Sequence, residues 1–406
     1  MKKVFTHRSM FMSIGGTAVA AAAVFMWSMG SADVPAYVAG DHTGSDSAAA
    51  VASAVSQTPP PPQHISTPSP LHAIYMSSWV AGTPSLREGL VEFMRTSEIN
   101  AVVIDVKDYS GKVSFHTGDA FIEAVGSEEE RVPNMRALIE DLHRQDIYTI
   151  ARISVFQDPH FATHRPDLAV KTVQGSVWKD RKGISWVDPS SKYVWEYILH
   201  VARSAEAAGF DELNFDYVRF PSDGNMTDIS FPVWDEQTPR SDVLESFFSY
   251  LNTELSDVPV PISLDLFGMT MTNTDDLNIG QVLEKAAPHA DYIAPMVYPS
   301  HYPNGWNNLS NPAASPYEVI HYAISEGVKR LEAMRVLSTS TSSPWYGMQF
   351  AELRPWIQDF DLGADYTADM IQKQKQAVFD VGLDSWMAWD PKNVYTREAY
   401  TEGPGL

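Results

Sequence analysis

From about residue 71 onward, short apolar runs rich in β-formers alternate with longer stretches whose apolar positions recur at helical spacing. The strand candidates are His72–Met76, Ala101–Val106, Tyr148–Ser154, Glu212–Val218, Pro261–Leu266, Tyr292–Val297, Leu353–Gln358 and Ser385–Trp389. Helical patterns lie between them at Ser85–Glu98, Asn134–Gln145, Lys192–Ala208, Ser241–Leu255, Ile279–His289, Ser315–Glu326 and Ala368–Val381. Asn134 and Ser241 stand where N-caps belong, and Gly209 and Gly382 where helices end just before strands four and eight. This alternation predicts parallel βαβ units, and the length suits an α/β fold of the (β/α)8 TIM barrel type. A doubly wound open sheet is the competing architecture. No Gly-x-Gly-x-x-Gly turn follows strand one and no P-loop occurs, which weakens the nucleotide-binding versions of that sheet. The polar stretch 331–350 reads as a long insertion before strand seven, with Arg335–Thr339 as another candidate for that strand.

The first 70 residues follow a different pattern. Lys2, Lys3, His7 and Arg8 precede an uncharged run over residues 10–30, and Gly30-Ser31-Ala32 offers a small-residue cleavage site. Residues 1–32 therefore read as a signal peptide or, uncleaved, as a membrane anchor. Residues 33–70, rich in Ala, Ser, Thr and Pro, bury too little apolar area to fold and read as a disordered linker. The barrel is expected over 71–397, with 398–406 as a C-terminal tail. Its location is expected to be extracytoplasmic: secreted, periplasmic, or anchored and facing outward. Membrane contact would come only through residues 10–30.

Lys plus Arg number 29 and Asp plus Glu 51, a net charge of −22 that repels a phosphate backbone and argues against nucleic acid as a partner. With no cysteine, disulfides, thiolate metal sites and cysteine nucleophiles are excluded. No His cluster at ligand spacing and no Gly-x-Ser-x-Gly elbow appears, so neither a metal nor a cofactor is expected.

Catalytic groups of a barrel project from the C-terminal strand ends. In strand four, Glu212, Asn214 and Asp216 share one face and Leu213, Phe215 and Tyr217 the other. The polar face is expected inward, with Asp216 near the mouth and Arg219 following as a positive neighbour. In strand five, Ser263 and Asp265 face inward by the same argument. Strands about 4.8 Å apart bring Asp216 and Asp265 within the reach of paired carboxylates. The blander readings are a salt-bridged Asp216 and an Asp265 that merely orients it. Asp105 and Lys107 share the inward face of strand two and suggest an internal ion pair. Arg152 on strand three is placed to neutralise a carboxylate. Tyr298, His301, Tyr302 and Trp306 follow strand six, Trp345 and Trp356 flank strand seven, and Trp386, Trp389 and Asp390 mark strand eight. Flat aromatic faces at a barrel mouth suit sugar rings, or else they pack the top layer.

Gly209–Pro221 (GFDELNFDYVRFP) resembles the signature of a bacterial family described as a putative glycoside hydrolase domain. So do Val103–Asp108, Ala294–Tyr302, Arg354–Phe360 and Trp389–Pro391, all in order over about residues 72–397. The insertion before Arg354 is longer and more polar than that pattern. The resemblance implies a TIM barrel acting on carbohydrate. Chitinase-like barrels carry Asp-x-x-Asp-x-Asp-x-Glu on strand four; here that register is Asp211, Asn214, Asp216 and Val218, and a valine cannot protonate a leaving group. Amylase-like barrels, with an Asp nucleophile ending strand four and an acid on strand five, fit Asp216 and Asp265 better. The expectation is an exported glycoside hydrolase cleaving a poly- or oligosaccharide. Asp216 would be the nucleophile, or the base if the enzyme inverts, and Asp265 the acid. Asp105, Lys107, Arg152, Asn214, Arg219, Tyr298, His301, Tyr302, Trp356, Trp389 and Asp390 would line the substrate. The alternative is a non-catalytic carbohydrate- or cell-wall-binding barrel.

Overall fold

The computed structural model describes residues 61–401. The expected signal or anchor segment and most of the expected linker lie outside the described residues. Nine strands form: β1 His72–Met76, β2 Ala101–Lys107, β3 Tyr148–Ser154, β4 Glu212–Asp216, β5 Ile262–Phe267, β6 Tyr292–Met296, β7 Glu352–Leu353, β8 Trp356–Gln358 and β9 Trp386–Trp389. β1 through β6 pair in sequence order, all parallel, and β9 pairs with both β8 and β1, which closes a barrel. β7 and β8 together fill one position of eight, because both pair with β6. They are the expected seventh strand interrupted at Arg354-Pro355, where proline supplies no N–H to the ladder.

Alternation along the strands builds two apolar layers. Ala73, Tyr75, Val103, Ile150, Ala294 and Met387 pack inside the barrel. Ile74, Val102, Ile153, Leu213, Phe215 and Leu264 pack outward against the helices. β4 thus turns Leu213 and Phe215 to the helix layer and leaves Glu212, Asn214 and Asp216 for the interior.

The surrounding helices follow their sequence signals where caps are present. Lys192–Ala208 ends at Gly209, whose φ of 108° is the left-handed turn that favours glycine. Met135–His143 is capped by Asn134, whose side chain accepts from the Ala137 N–H. Three expectations change. The helix Arg240–Glu254 begins after Pro239 without a side-chain cap, so Ser241 is not its N-cap. Of the helix expected over 279–289, only Leu283–Ala286 and a 3-10 turn at Ala287–His289 form, since Gly280 at φ 88° and Pro288 bound the segment. The helix expected to end at Glu326 runs on as Pro316–Leu337, burying Leu331 and Met334. Arg335 is therefore helical and the alternative seventh strand does not exist.

Ordered contacts extend past both expected barrel limits. Before Leu71, His64 Nε2 lies 3.0 Å from Glu206, Ile65 N–H donates to Asp211 and Thr67 Oγ1 meets Tyr148 Oη. After residue 397, buried Tyr400 donates to Asp359 Oδ2.

Candidate active site

A cavity of about 570 Å³ opens among the C-terminal strand ends. Of the residues expected there from sequence, Asp216, Asp265, Arg152, Arg219, Tyr298, His301, Tyr302, Trp356 and Trp389 line it. A larger cavity, about 850 Å³, lies at the opposite face near Leu71, Tyr292, Leu353 and Ser385. The smaller one is the candidate site, because among the described residues strand C-termini and the Asp216–Asp265 pair meet there.

Pairing register sets the two acids side by side. Asn214 is opposite Ser263 and Phe215 opposite Leu264, so the next positions bring Asp216 level with Asp265. Asp216 Oδ2 accepts from Arg152 Nε at 3.0 Å and pairs with Nη2. Its Oδ1 accepts from the N–H of Tyr217 at 2.5 Å. Tyr217 has φ 54°, a left-handed turn just past the strand that aims its N–H back at the carboxylate. Such a conformation costs about 1–3 kcal/mol and is characteristic of functional strand ends.

Asp265 sees neutral donors instead. Its Oδ1 accepts from Asn214 Nδ2 at 3.0 Å and Trp356 Nε1 at 2.8 Å. Burial first, and the Asp216 carboxylate second, push its pKa up to about 8. Arg152 is the cation of this layer. Burial opposes its charge, but Asp216 and Asp105 together hold its pKa well above the ordinary value. Asp105 accepts from Arg152 Nη1 at 2.6 Å and from Tyr75 Oη at 2.5 Å. Arg152 is thus shared by Asp216 and Asp105, whose pKa burial also raises, while Asp265, with neutral donors only, is pushed up to about 8.

The remaining expected residues separate by what they touch. Asp105 lies beside Arg152 and away from the cavity, as a support for that side chain. It does not pair with Lys107. A register shift between Asp105 and Lys107 sets Lys107 opposite the outward-facing Ile153. There Lys107 pairs with Asp158 at 2.8 Å, fully buried in the helix layer. Asn214 holds Asp265 and does not reach the cavity. Asp390 caps a turn by accepting from the N–H groups of Lys392 and Val394. Arg219 lines the cavity but makes no ion pair with Asp216; Arg152 has that role. Trp356 is 1% exposed and serves Asp265 through its N–H. Trp389 stacks on Tyr75 and carries Arg152 over its ring at 4.8 Å. Trp306, Trp345 and Trp386 pack elsewhere, against Tyr302, Phe350 and His72.

The family model described as "Putative glycosyl hydrolase domain" matches residues 73–395. The chain belongs to that family. Among solved structures it is similar to the glycoside hydrolase domain of PgaB (BpsB) from Bordetella bronchiseptica, at TM-score 0.55 and 12% identity, covering 82% of this chain and 99% of that one. A hypothetical protein from Ruminiclostridium thermocellum ATCC 27405 is 30% identical, covering 47% of this chain and 96% of that one, at TM-score 0.43. The α-galactosidase TtGalA from Thermus thermophilus matches at 13% identity and TM-score 0.49, covering 84% of this chain and 61% of that one. None of the curated proteins matches the chain in sequence. The first of these likenesses carries the barrel fold.

Several cavity residues of this glycosyl hydrolase domain were not visible in sequence. Gln281 accepts from the Phe267 N–H and donates to the Val218 carbonyl, tying the β5 and β4 exits together from a loop with no periodic signal. Phe267, Gly268 and Met269 follow Asp265 directly and line the wall. Their position just past a strand carrying an inward acid was the one available clue. Ser300 bridges His301 Nδ1 and Gln358 Oε1, and burial, then Lys182, lowers the His301 pKa.

Proposed function

We propose that the protein is an exported glycoside hydrolase acting on a poly- or oligosaccharide. Asp216 is the nucleophile, or the general base in an inverting reaction, and Asp265 is the general acid. One observation carries the reading: two level carboxyl groups at the mouth, one paired with Arg152 and the other held protonated near neutrality. A charged carboxylate beside a neutral carboxylic acid is the division of labour that glycosidic cleavage needs. Asp265 hands its proton to the glycosidic oxygen as the C–O bond breaks. If the enzyme retains configuration, Asp216 attacks the anomeric carbon. A water deprotonated by Asp265 then displaces Asp216 from that carbon, which returns the proton to Asp265. If it inverts, Asp216 takes the proton of the attacking water and Asp265 regains its proton from solvent. Family membership supports the hydrolase class, and the sugar and linkage belong to the test.

The test is release of reducing ends from an oligosaccharide library by the full chain and by the Asp216→Asn, Asp265→Asn double variant. Cleavage by the wild type alone is expected; equal cleavage by a folded double variant would sink the assignment. Export rests on residues 1–32. A periplasm-dependent reporter fused to residues 1–70 should be active, and a cytoplasmic, silent reporter would overturn that part.

A further inference from the structure

Arg219 stands at the mouth as a cation without an anion. It is 8% exposed, and its Nη1 donates to the Phe220 carbonyl and to Ser222 Oγ, both at 3.1 Å. Among the described residues it makes no ion pair. Asp216 is taken by Arg152, and Asp180 accepts from Trp186 Nε1 and the Lys182 and Ile184 N–H groups. The guanidinium instead lies 4.6 Å from the Trp186 ring centroid, 4.8 Å from Phe267 and 5.7 Å from Tyr217. These rings fix its plane, and Asp216, Asp223 and Asp180 act on its charge only from beyond ion-pair distance. Nε and Nη2, one edge of the fork, have no protein acceptor among the described residues. Holding such a group out of water is costly unless a ligand completes it.

A second unpartnered polar group lies in the wall of the same cavity. Tyr302 is 5% exposed, and its buried Oη has no hydrogen-bond partner. It presses on Gly268, where an added Cβ would fall 2.5 Å from that oxygen. Gly268 directly follows Phe267, the ring beneath Arg219. Both side chains line the cavity that holds Asp216 and Asp265, and Lys182 adds a further positive charge at its edge. The protein as a whole, at −22, repels anions at long range, so an acidic sugar needs a local cation to hold it.

We propose that the mouth contains a subsite for a carboxylate borne by the sugar substrate, gripped bidentately by the free edge of the Arg219 guanidinium. This rests on reading the cavity as a sugar site. The free fork edge matches two coplanar oxygens, which a uronic acid presents and a neutral hydroxymethyl group does not. Sulfate is the other sugar substituent of like charge, and its oxygens are tetrahedral.

Calorimetric titration of the full chain decides the matter. The probes are methyl glucuronides and galacturonides of both anomers, the matching neutral methyl glucosides and galactosides, and glucose 6-sulfate. At least one uronide should bind roughly tenfold to a hundredfold tighter than its neutral counterpart, as expected for hydrogen bonds to a charged group. Arg219→Gln should abolish that preference. The wild-type comparison requires no variant to fold. Equal binding of neutral and acidic sugars overturns the subsite and leaves the hydrolase reading standing. Tighter binding of the sulfate than of every uronide overturns the carboxylate. If no sugar binds, the subsite falls, while activity lost or kept in Asp216→Asn separately decides the hydrolase reading.

Discussion

The barrel interior contains two arginine–carboxylate layers, both anchored on β4 and four residues apart. At the floor, Glu212 pairs with Arg354 and accepts from Ser263 Oγ at 2.6 Å, with Tyr148 Oη at 3.3 Å. One cation meets one anion. At the mouth, Arg152 meets Asp216 and Asp105, and Asp265 stands beside them with neutral partners only. The two layers use the same residue types at similar burial. What differs is the charge count and the cavity above it. A balanced layer holds the strands together, whereas an excess carboxyl facing a cavity must keep a proton and is able to give it away.

Substitutions can break this contrast from either side. The largest effect belongs to Asp216→Asn. Turnover should fall by several orders of magnitude, since a reaction step is lost, while the fold gives up only about 1–3 kcal/mol because Arg152 keeps Asp105. Retained turnover would make the mouth layer as structural as the floor. Asp265→Asn comes next, with an expected loss of about 10²–10⁴-fold on a natural oligosaccharide. The loss should shrink on an aryl glycoside whose leaving group needs little protonation; an equal loss on both would remove Asp265 as the acid. At the floor the order reverses. Glu212→Gln leaves Arg354 buried beside a neutral side chain, at a cost of about 3–5 kcal/mol by urea unfolding, and turnover per folded molecule should stay near wild type. A stable but inactive Glu212→Gln would erase the distinction between the layers.

Most of the barrel was readable because its strands are short, apolar and evenly spaced, and the polar face of Glu212, Asn214 and Asp216 is a pattern that only an inward register accommodates. The two acids followed from that same alternation. Alternation failed at Lys107, because a local register shift leaves no mark in an apolar run and turned an expected ion pair with Asp105 into one with Asp158. Arg219 lines the mouth but does not pair with Asp216, for which sequence adjacency had offered it as a positive neighbour. Arg152, expected to neutralise a carboxylate without a choice of which, is the residue that pairing register carries beside Asp216, from 64 positions away. Gln281 and the 331–350 segment were hidden for another reason: loops carry no period to read, and helix extension there was decided by tertiary packing of Leu331 and Met334.

The proton on Asp265 is the point on which the contrast between floor and mouth rests. Infrared difference spectra of wild type minus Asp265→Asn, taken across pH, would observe it directly. A protonated carboxyl band should be present at pH 7 and vanish as pH rises through about 8, where burial and the neighbouring Asp216 place the titration. Linkage fixes the accompanying sign. The folded-state pKa is raised, so the unfolded chain releases this proton first. Stability from this group is therefore full below the ordinary value of 3.8 and is lost progressively as pH climbs to about 8. Asp265→Asn should flatten that slope. A carboxyl that loses its proton near pH 4 in the folded protein, with no slope to remove, would contradict the assignment of Asp265 as the acid.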